Sequence, residues 1–483
     1  MKGARVVGKG DPILTGICEN SKSVQKGNLF VCIPGAKHDG RSYGLEAVDK
    51  GARALVVEGE VLRGMDVPQL VVRDSREALA LLASAYYGNP SEKVKVIGVT
   101  GTKGKTTTTY LIRAILEKAG QKSGLIGTIA YQVGSKTYEA NNTTPSSLTI
   151  VKLLDEMDRQ KCKWAVMEVS SHSLEMKRVL GTHFQGAVFT NLGRDHLDFH
   201  KNFSSYFRAK CRLFTEFKSL KARVVNADDV YGQKLLKELK SKAVGYGIKA
   251  VCTYQATNVE HKPGQLKFDV QGQKFEVPLT GLFNVYNCLA AIAVLKELGF
   301  SWVDLQKGLK NAPAVPGRFE EVAAGQDFTV LVDYAHTPDS FKYALTASRE
   351  IIGKKTSSRL IAVFGCGGDR DRTKRPLMGK ISSQLADLTI VTSDNPRTED
   401  PKMILEDILR GIPRPLLQGE KRRVWVEEDR EKAIRLALAN AQKGDLVLIA
   451  GKGHETYQIM GEVKHHFDDR EIARKVLKEL KKK

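Results

Sequence analysis

What this chain of 483 residues lacks sets the first limits on its chemistry. No apolar run approaches the roughly 18 residues that a membrane-spanning helix needs; the longest, such as residues 288–295 ("CLAAIAVL"), stop far short of it. The opening "MKGARVVGKGDP" has no apolar core of a signal peptide, so a soluble, cytoplasmic protein is expected, with no membrane partner. Cysteine is sparse and unpaired. Cys18, Cys32, Cys162, Cys211, Cys252, Cys288 and Cys366 make an odd count without a CxxC spacing, which supports neither a zinc site nor a disulfide framework. Most sit in apolar runs and read as small buried hydrophobes in a reducing compartment. No period of 20–50 residues repeats, and no low-complexity tract interrupts the chain.

Acidic residues are also short. Against 76 Lys and Arg stand 55 Asp and Glu, a formal charge of +21. Nucleic-acid binding is the non-enzymatic reading of such a balance. The cations are dispersed, however, and no basic stretch is interleaved with stacking aromatics, so no nucleic-acid partner is expected. The densest run, "REIARKVLKELKKK", spaces Ile472, Val476 and Leu480 as one face of an amphipathic closing helix with a solvated basic side. A positive field equally suits polyanionic small substrates.

What is present is alternation. β-Branched runs alternate with helical patterns, which predicts an α/β fold with parallel sheets covered by helices. Two seams, "YYGNPSEKVK" at 86–95 and "NAPAVPGRFE" at 311–320, divide the chain into domains 1–90, 91–315 and 316–483. The helix before the first seam, "SREALALLASAYY", has Ser75 as its candidate N-cap. Strands are expected at "NLFVCI", "ALVVE" and "QLVV" in the first segment. The second offers "KVIGVT", "WAVMEV", "GAVFTN" and "ARVVNA"; the third offers "FTVLVDY", "RLIAVFG", "LTIVTSD" and "DLVLIAG". The chemistry-bearing residues follow these strands, where open α/β sheets place their ligand sites.

The sharpest such stretch is "VIGVTGTKGKTTTTYLI". A strict phosphate loop needs a glycine at position 99, which is Val99, so G-x-x-x-x-G-K-[ST] fails. Its physical parts remain in Gly101, Thr102, Lys103, Gly104, Lys105, Thr106 and Thr107. A strand feeds a glycine turn whose N–H groups can face phosphate, with the positive end of a helix behind it. Lys105 can reach the outer phosphates, and the Thr106 hydroxyl can face Mg²⁺. Glu168, at the end of the apolar run "WAVMEV", is costly there unless paired or metal-bound, which favours a ligand role. His196 in "TNLGRDHLDFH" reads either as a ligand or as a structural histidine. Lys210, taken alone, reads as an ordinary surface lysine on a helix.

In order and spacing, G-T-x-G-K-T-T, "MEVSSH", "TNLGRDHLDFH", "YFRAKCRLF", "GLFNVYNCLAA", "PGRFE", "DYAHTPDS", "FGCGGDRDRTKRPLMG", "SDNPRTEDP" and "AGKGHETYQ" resemble the Mur ligase family over essentially the whole chain. They lie nearest the members that add the third amino acid of the cell-wall peptide. The resemblance implies a central P-loop, parallel-sheet, ATPase-like domain and a C-terminal Rossmann-like domain. It implies an ADP-forming amide ligase in which ATP phosphorylates a carboxylate of UDP-MurNAc-L-Ala-D-Glu and an amine attacks the acyl phosphate. Mg²⁺ and ATP are the implied cofactors, and a monomer is expected.

By the same resemblance, Lys105 and Thr106 contact phosphate and the first metal, Glu168 bridges two metals, and His196 holds the second. Lys210 matches a carbamylated lysine, an anionic ligand made from a cation. Asn287, Arg318 and Asp333 match positions around adenine, phosphates and ribose, with His336 in the same motif. Ser21, His38, Asp39 and Gly40 match positions near the uridine diphosphate; Asn142, Thr143, Thr144, Ser170 and Arg178 match peptide and sugar contacts. The family usually shows D-S-R where this chain has Asn20-Ser21-Lys22; Met176 stands for a glutamine and Lys103 for an asparagine. Asp394, Asn395, Pro396 and Arg397 give the D-N-P-R form that resembles members adding meso-diaminopimelate. An arginine fork can pair the carboxylate that distinguishes this amino acid from lysine. Arg370, Gly451 and Glu455 match its remaining contacts. The alternatives are the same ligase using L-lysine, a folyl-polyglutamate ligase, and a P-loop kinase or motor ATPase.

Overall fold

The structure is a computed structural model that describes residues 3–35, 39–353, 357–418 and 423–481. The chain packs as two compact units, Met1–Tyr254 with Ala290–Leu305, and Gln255–Leu289 with Gln306–Lys483. Every expected strand forms, and each of the three expected segments contributes a sheet of its own.

In the first segment Gly16–Cys18, Asn28–Val31, Ala54–Glu58 and Gln69–Val72 run parallel, and Arg5–Val7 closes the edge antiparallel. The helix Ser75–Tyr86 covers one face through Ala78, Leu79 and Ala83. Its cap differs from expectation. Asp74, not Ser75, is the N-cap, its carboxylate accepting from the Glu77 N–H at 2.8 Å. Ser75 is instead drawn to Glu58, donating both its N–H and its hydroxyl to Oε2 at 2.9 Å. Asp and Ser cap comparably well, so the competing carboxylate of Glu58 decides the position.

The central sheet places Lys95–Thr100 between Trp164–Glu168 and Phe184–Phe189, all parallel. Ser123–Ile126 extends it on one side, and Ala222–Asn226 with Val244–Gly247 on the other. The interior strands are buried along their length, Lys95 at one end excepted, because both faces are covered, which is why their sequences are continuous apolar runs.

In the second unit, Thr329–Asp333, Leu446–Ala450, Leu360–Phe364, Leu388–Val391 and Val424–Val426 lie side by side in parallel. Alternate residues serve two cores. Leu331, Ala362, Phe364 and Leu448 join one cluster; Val330, Val332, Ile361, Val363 and Ile449 join another. The closing helix Asp469–Leu480 contributes Val476 and Leu477 to the second cluster, with Ile472 and Leu480 packed against it, as its spacing predicts. An antiparallel meander ends in Gln265–Val270 and Gln273–Val277. All seven cysteines are free, and only Cys252 is not buried.

Candidate active site

The strand Lys95–Thr100 ends at Gly101, and the helix Lys105–Lys118 starts four residues later. Gly101 has φ +149°, and a Cβ there would lie 1.8 Å from the Thr190 hydroxyl. Only glycine lets the loop pass. The segment after Phe184–Phe189 braces it from the side. Thr190 and Asn191 donate to the Lys103 carbonyl at 2.7 and 3.0 Å, and Asn191 Oδ1 accepts from the Lys103 N–H at 3.0 Å. The Gly193 N–H donates to Thr102 Oγ1, which also pairs with the Tyr206 hydroxyl at 3.1 Å. These hydrogen bonds hold the loop from one side, and the first N–H groups of a helix have no intrahelical acceptor, which suits an anion.

Two lysines close on the loop. Lys105 donates to the carbonyls of Gly101 and Thr102 at 3.0 Å. Lys210, on the helix Phe203–Thr215, is 1 % exposed and donates to the Gly101 carbonyl at 2.7 Å, with its ammonium 4.5 Å from the centre of the Tyr206 ring. The surface reading of Lys210 is thereby corrected. Tyr206, Phe207, Cys211 and Phe214 set the buried face of that helix, and position 210 falls on it. Burial first, and the Lys105 cation second, holds the Lys210 amine well below its ordinary pKa.

Glu168 is 1 % exposed and satisfied on every side. Its carboxylate accepts from the Thr106 hydroxyl at 3.0 Å, the Thr128 N–H at 2.8 Å and the Thr128 hydroxyl at 3.2 Å. Thr106 and Glu168 thus stand together as hard oxygen donors, the chemistry Mg²⁺ selects. His196 has φ +52° and a half-exposed side chain. Its ring meets that of His172 edge-on at 4.7 Å, and burial lowers its pKa. Among the described residues no three His, Cys, Asp or Glu side chains form a metal cage by themselves. A divalent ion here would need phosphate oxygens or a modified Lys210 to complete its shell, as Mg²⁺ at nucleotide sites ordinarily does.

The residues expected at the UDP-linked substrate fall in two groups. Ser21 is buried in a short 3-10 turn, its carbonyl held by Lys50 at 3.1 Å. Asp39 caps the turn Gly40–Tyr43 through the Arg41 N–H at 3.0 Å. A Cβ at Gly40 would lie 2.5 Å from the Ile33 backbone. His38 lies outside the described residues. The second group surrounds Glu168. Thr144 Oγ1 donates to the Glu168 carbonyl at 2.7 Å and accepts from the Ser170 N–H at 3.0 Å. Arg178 donates to the Thr144 carbonyl at 2.9 Å and to Met176 Sδ at 3.5 Å. Thr143 pairs with the Thr128 hydroxyl at 3.1 Å, and the Asn142 carbonyl accepts from Tyr131 at 2.6 Å.

In the second unit the residues again follow strand ends. Asp333 closes Thr329–Asp333 and accepts from the Phe319 N–H at 2.9 Å. The Arg318 guanidinium lies 4.9 Å over Tyr334, whose carbonyl pairs with His336 at 2.7 Å. Asn287 donates to Asn284 at 2.8 Å on the helix Phe283–Glu297. After Leu388–Val391, Asn395 donates to Glu455 at 2.9 Å and accepts from the Ile459 N–H at 3.0 Å. Pro396 is buried; Arg397 follows at φ +54° and donates from Nη1 to the Gly368 carbonyl at 2.8 Å. Gly451, at φ +116°, leaves room for Asp394 Oδ2, which a Cβ would approach to 3.0 Å. Arg370 is exposed and donates to the Asp369 carbonyl at 3.1 Å.

Sequence reasoning missed four contributors. Thr190 and Asn191 brace the loop, and the polar "TN" directly after an apolar strand was their signal. Arg430, wholly buried, pairs with Asp469 at 2.7 Å and donates to the carbonyls of Ser393 and Ala450, where two site loops begin. Lys452, also wholly buried, touches Asn395, Asp394 and Glu455. A charge does not announce burial when the partner that buries it lies far along the chain, as Asp469 does from Arg430 and Asp394 from Lys452.

Comparison with known proteins agrees with this architecture. The family models that match are "Mur ligase family, catalytic domain" over residues 14–87, "Mur ligase middle domain" over 99–295, and "Mur ligase, glutamate ligase domain" over 317–453. A UDP-N-acetylmuramoyl-L-alanyl-D-glutamate–2,6-diaminopimelate ligase of Clostridium botulinum is 45 % identical, covering 95 % of this chain and 94 % of its own. The ligase of the same name from Aquifex aeolicus is 45 % identical over 96 % and 93 %. A solved structure with that name superposes with a TM-score of 0.71 at 33 % identity, covering 97 % and 95 %. The chain belongs to the Mur ligase family. A MurF ligase of Thermotoga maritima solved with ADP shares the fold, at TM-score 0.61, 19 % identity, and coverage of 98 % and 100 %.

Proposed function

We propose that this protein is the ADP-forming ligase that joins meso-diaminopimelate to the D-glutamate of UDP-MurNAc-L-Ala-D-Glu. The observation that carries the reading is the Thr106–Glu168 pair under a braced phosphate loop, in a chain 45 % identical to ligases of that name. Residues 1–90 take the UDP-sugar, 91–315 take ATP, and 316–483 take the amino acid.

The chemistry divides among the side chains. Lys105, the loop N–H groups and Arg318 hold the phosphates, while Asn287 and Asp333 hold the adenine and ribose. The substrate carboxylate forms a bond to the γ-phosphorus as the bond to ADP breaks. The amine then bonds to the acyl carbon, loses a proton, and phosphate leaves with the former carboxylate oxygen. Thr106 and Glu168 would hold a first Mg²⁺, and Glu168, His196 and Lys210 a second; bound Mg²⁺ would neutralise phosphate and carboxylate charge. Burial favours the neutral, nucleophilic form of the Lys210 amine, which suits it to form an N–C bond with CO₂ and lose a proton, giving a carbamate. Ser21, Asp39, Gly40, Asn142, Thr143, Thr144, Ser170 and Arg178 position the UDP-linked dipeptide, with His38 beside Asp39 in sequence. Arg397, Asn395, Arg370, Gly451 and Glu455 receive the amino acid, Arg397 reading its second carboxylate.

The enzyme works as a cytoplasmic monomer; no described helix is long and apolar enough to cross a membrane. Labelling the glutamate carboxylate with ¹⁸O tests the acyl phosphate. One label should appear in the released phosphate for each ADP formed, and unlabelled phosphate would contradict the mechanism.

A further inference from the structure

Lys452 is wholly buried, which is rare for a lysine unless its charge is met. Its ammonium lies 2.9 Å from Asn395 Oδ1, 3.4 Å from Glu455 Oε2 and 3.5 Å from Asp394 Oδ1. These partners come from two loops, one after Leu388–Val391 and one after Leu446–Ala450. Asp394 Oδ1 is enclosed without a hydrogen bond, so the lysine charge is its compensation. Two carboxylates share one small volume, and burial together with Asp394 pushes the Glu455 carboxyl up, while Lys452 opposes both. The other groups facing them are Tyr334, Tyr457 with its ring 5.7 Å from the lysine, His336 and Cys366 on the Asp394 side, and Arg430, whose charge Asp469 meets.

We propose that Lys452 is a positioning residue for the amino-acid substrate, the internal counter-ion that keeps Glu455 anionic beside Asp394 and joins two loops into one ammonium-binding subsite. Two carboxylates and one internal ammonium leave a single net negative charge, the complement of one substrate ammonium. Without the lysine, like charges in low dielectric drive one carboxyl to keep its proton, and the subsite loses the charge that recognises the amine. The inference rests on the ligase reading above, since it assigns Glu455 to the amine.

The test is steady-state kinetics of Lys452→Met against wild type, with meso-diaminopimelate, from pH 6 to 9. The KM for the amino acid should rise about tenfold or more, as expected for a lost charged contact, with the KM for ATP within about twofold. The acid limb of kcat/KM should move to higher pH by about one unit, because Glu455 must now ionise beside Asp394 without compensation. In Lys452→Met/Asp394→Asn the competing charge is gone. That variant should melt higher than the single variant and return the limb to the wild-type position, even where Lys452→Met alone folds poorly. An unmoved limb in the single variant, a parallel rise in the KM for ATP, a displaced limb in the double variant, or failure of both to fold would make Lys452 a packing element and overturn the proposal. A wild type without diaminopimelate-dependent turnover would overturn the ligase reading itself, and this inference with it.

Discussion

The phosphate loop and the amino-acid loops solve the same problem by different means. Around Gly101 the two lysines donate to backbone carbonyls, and Glu168 is satisfied by hydroxyls and an N–H. Around Asn395 the partners are themselves ions, with Lys452 between Asp394 and Glu455 and Arg430 locked to Asp469 beneath them. The first region keeps Lys105 and the loop N–H groups for a polyanion that arrives from outside. The second carries its counter-charges within, as suits a zwitterion that brings little net charge of its own. Preorganisation by neutral groups costs little when the ligand is absent, whereas a compensated ion cluster depends on every member.

Breaking the first region should cost most activity. Lys105→Met removes a phosphate cation without touching the brace from Thr190 and Asn191, and should lower kcat by about 10²–10³ with the melting temperature little changed. In the second region, Arg397→Met should raise the KM for diaminopimelate about a hundredfold and bring its kcat/KM close to that for lysine, read by parallel titrations with both amines. The buried pair beneath that region makes it the more fragile in stability. Asp469→Asn leaves the Arg430 guanidinium uncompensated and should destabilise by about 3–5 kcal/mol in denaturant unfolding. Depletion of bicarbonate should reduce turnover of the wild type reversibly and leave Lys210→Ala, already slow, unaffected.

A smaller effect sharpens the contrast with ordinary scaffold. Asp74→Ala removes the cap of Ser75–Tyr86 and should cost about 1 kcal/mol with unchanged kinetics. Against the opposing pull of burial, the Glu77 N–H and Lys177 hold the Asp74 carboxyl below its ordinary pKa. A depressed carboxylate contributes stability at neutral pH that is lost as pH falls below about 4 toward the folded value, so wild type and variant should converge in stability in acid.

The parallel strands were legible because burial on both faces demands continuous apolar runs, and the site loops because they follow those runs. Lys210 shows where reading the chain fell short. The apolar spacing of Tyr206, Phe207, Cys211 and Phe214 already places position 210 inward, but a lysine's charge outweighs periodicity when residues are taken singly. Ser75 against Asp74 was beyond reach, since the outcome turns on Glu58, 17 residues away. Lys452 and Arg430 were unreadable for a related reason: Asp394 and Asp469, the partners that bury them, are brought near by the fold alone.

The central claim is most directly met by ADP release with UDP-MurNAc-L-Ala-D-Glu, Mg-ATP and either meso-diaminopimelate or L-lysine in bicarbonate-supplemented buffer. Turnover that depends on diaminopimelate and is at least about a hundredfold slower with lysine is the predicted result. Turnover with lysine in its place would contradict the role given to Arg397, and ADP release independent of any amine would contradict the ligase itself.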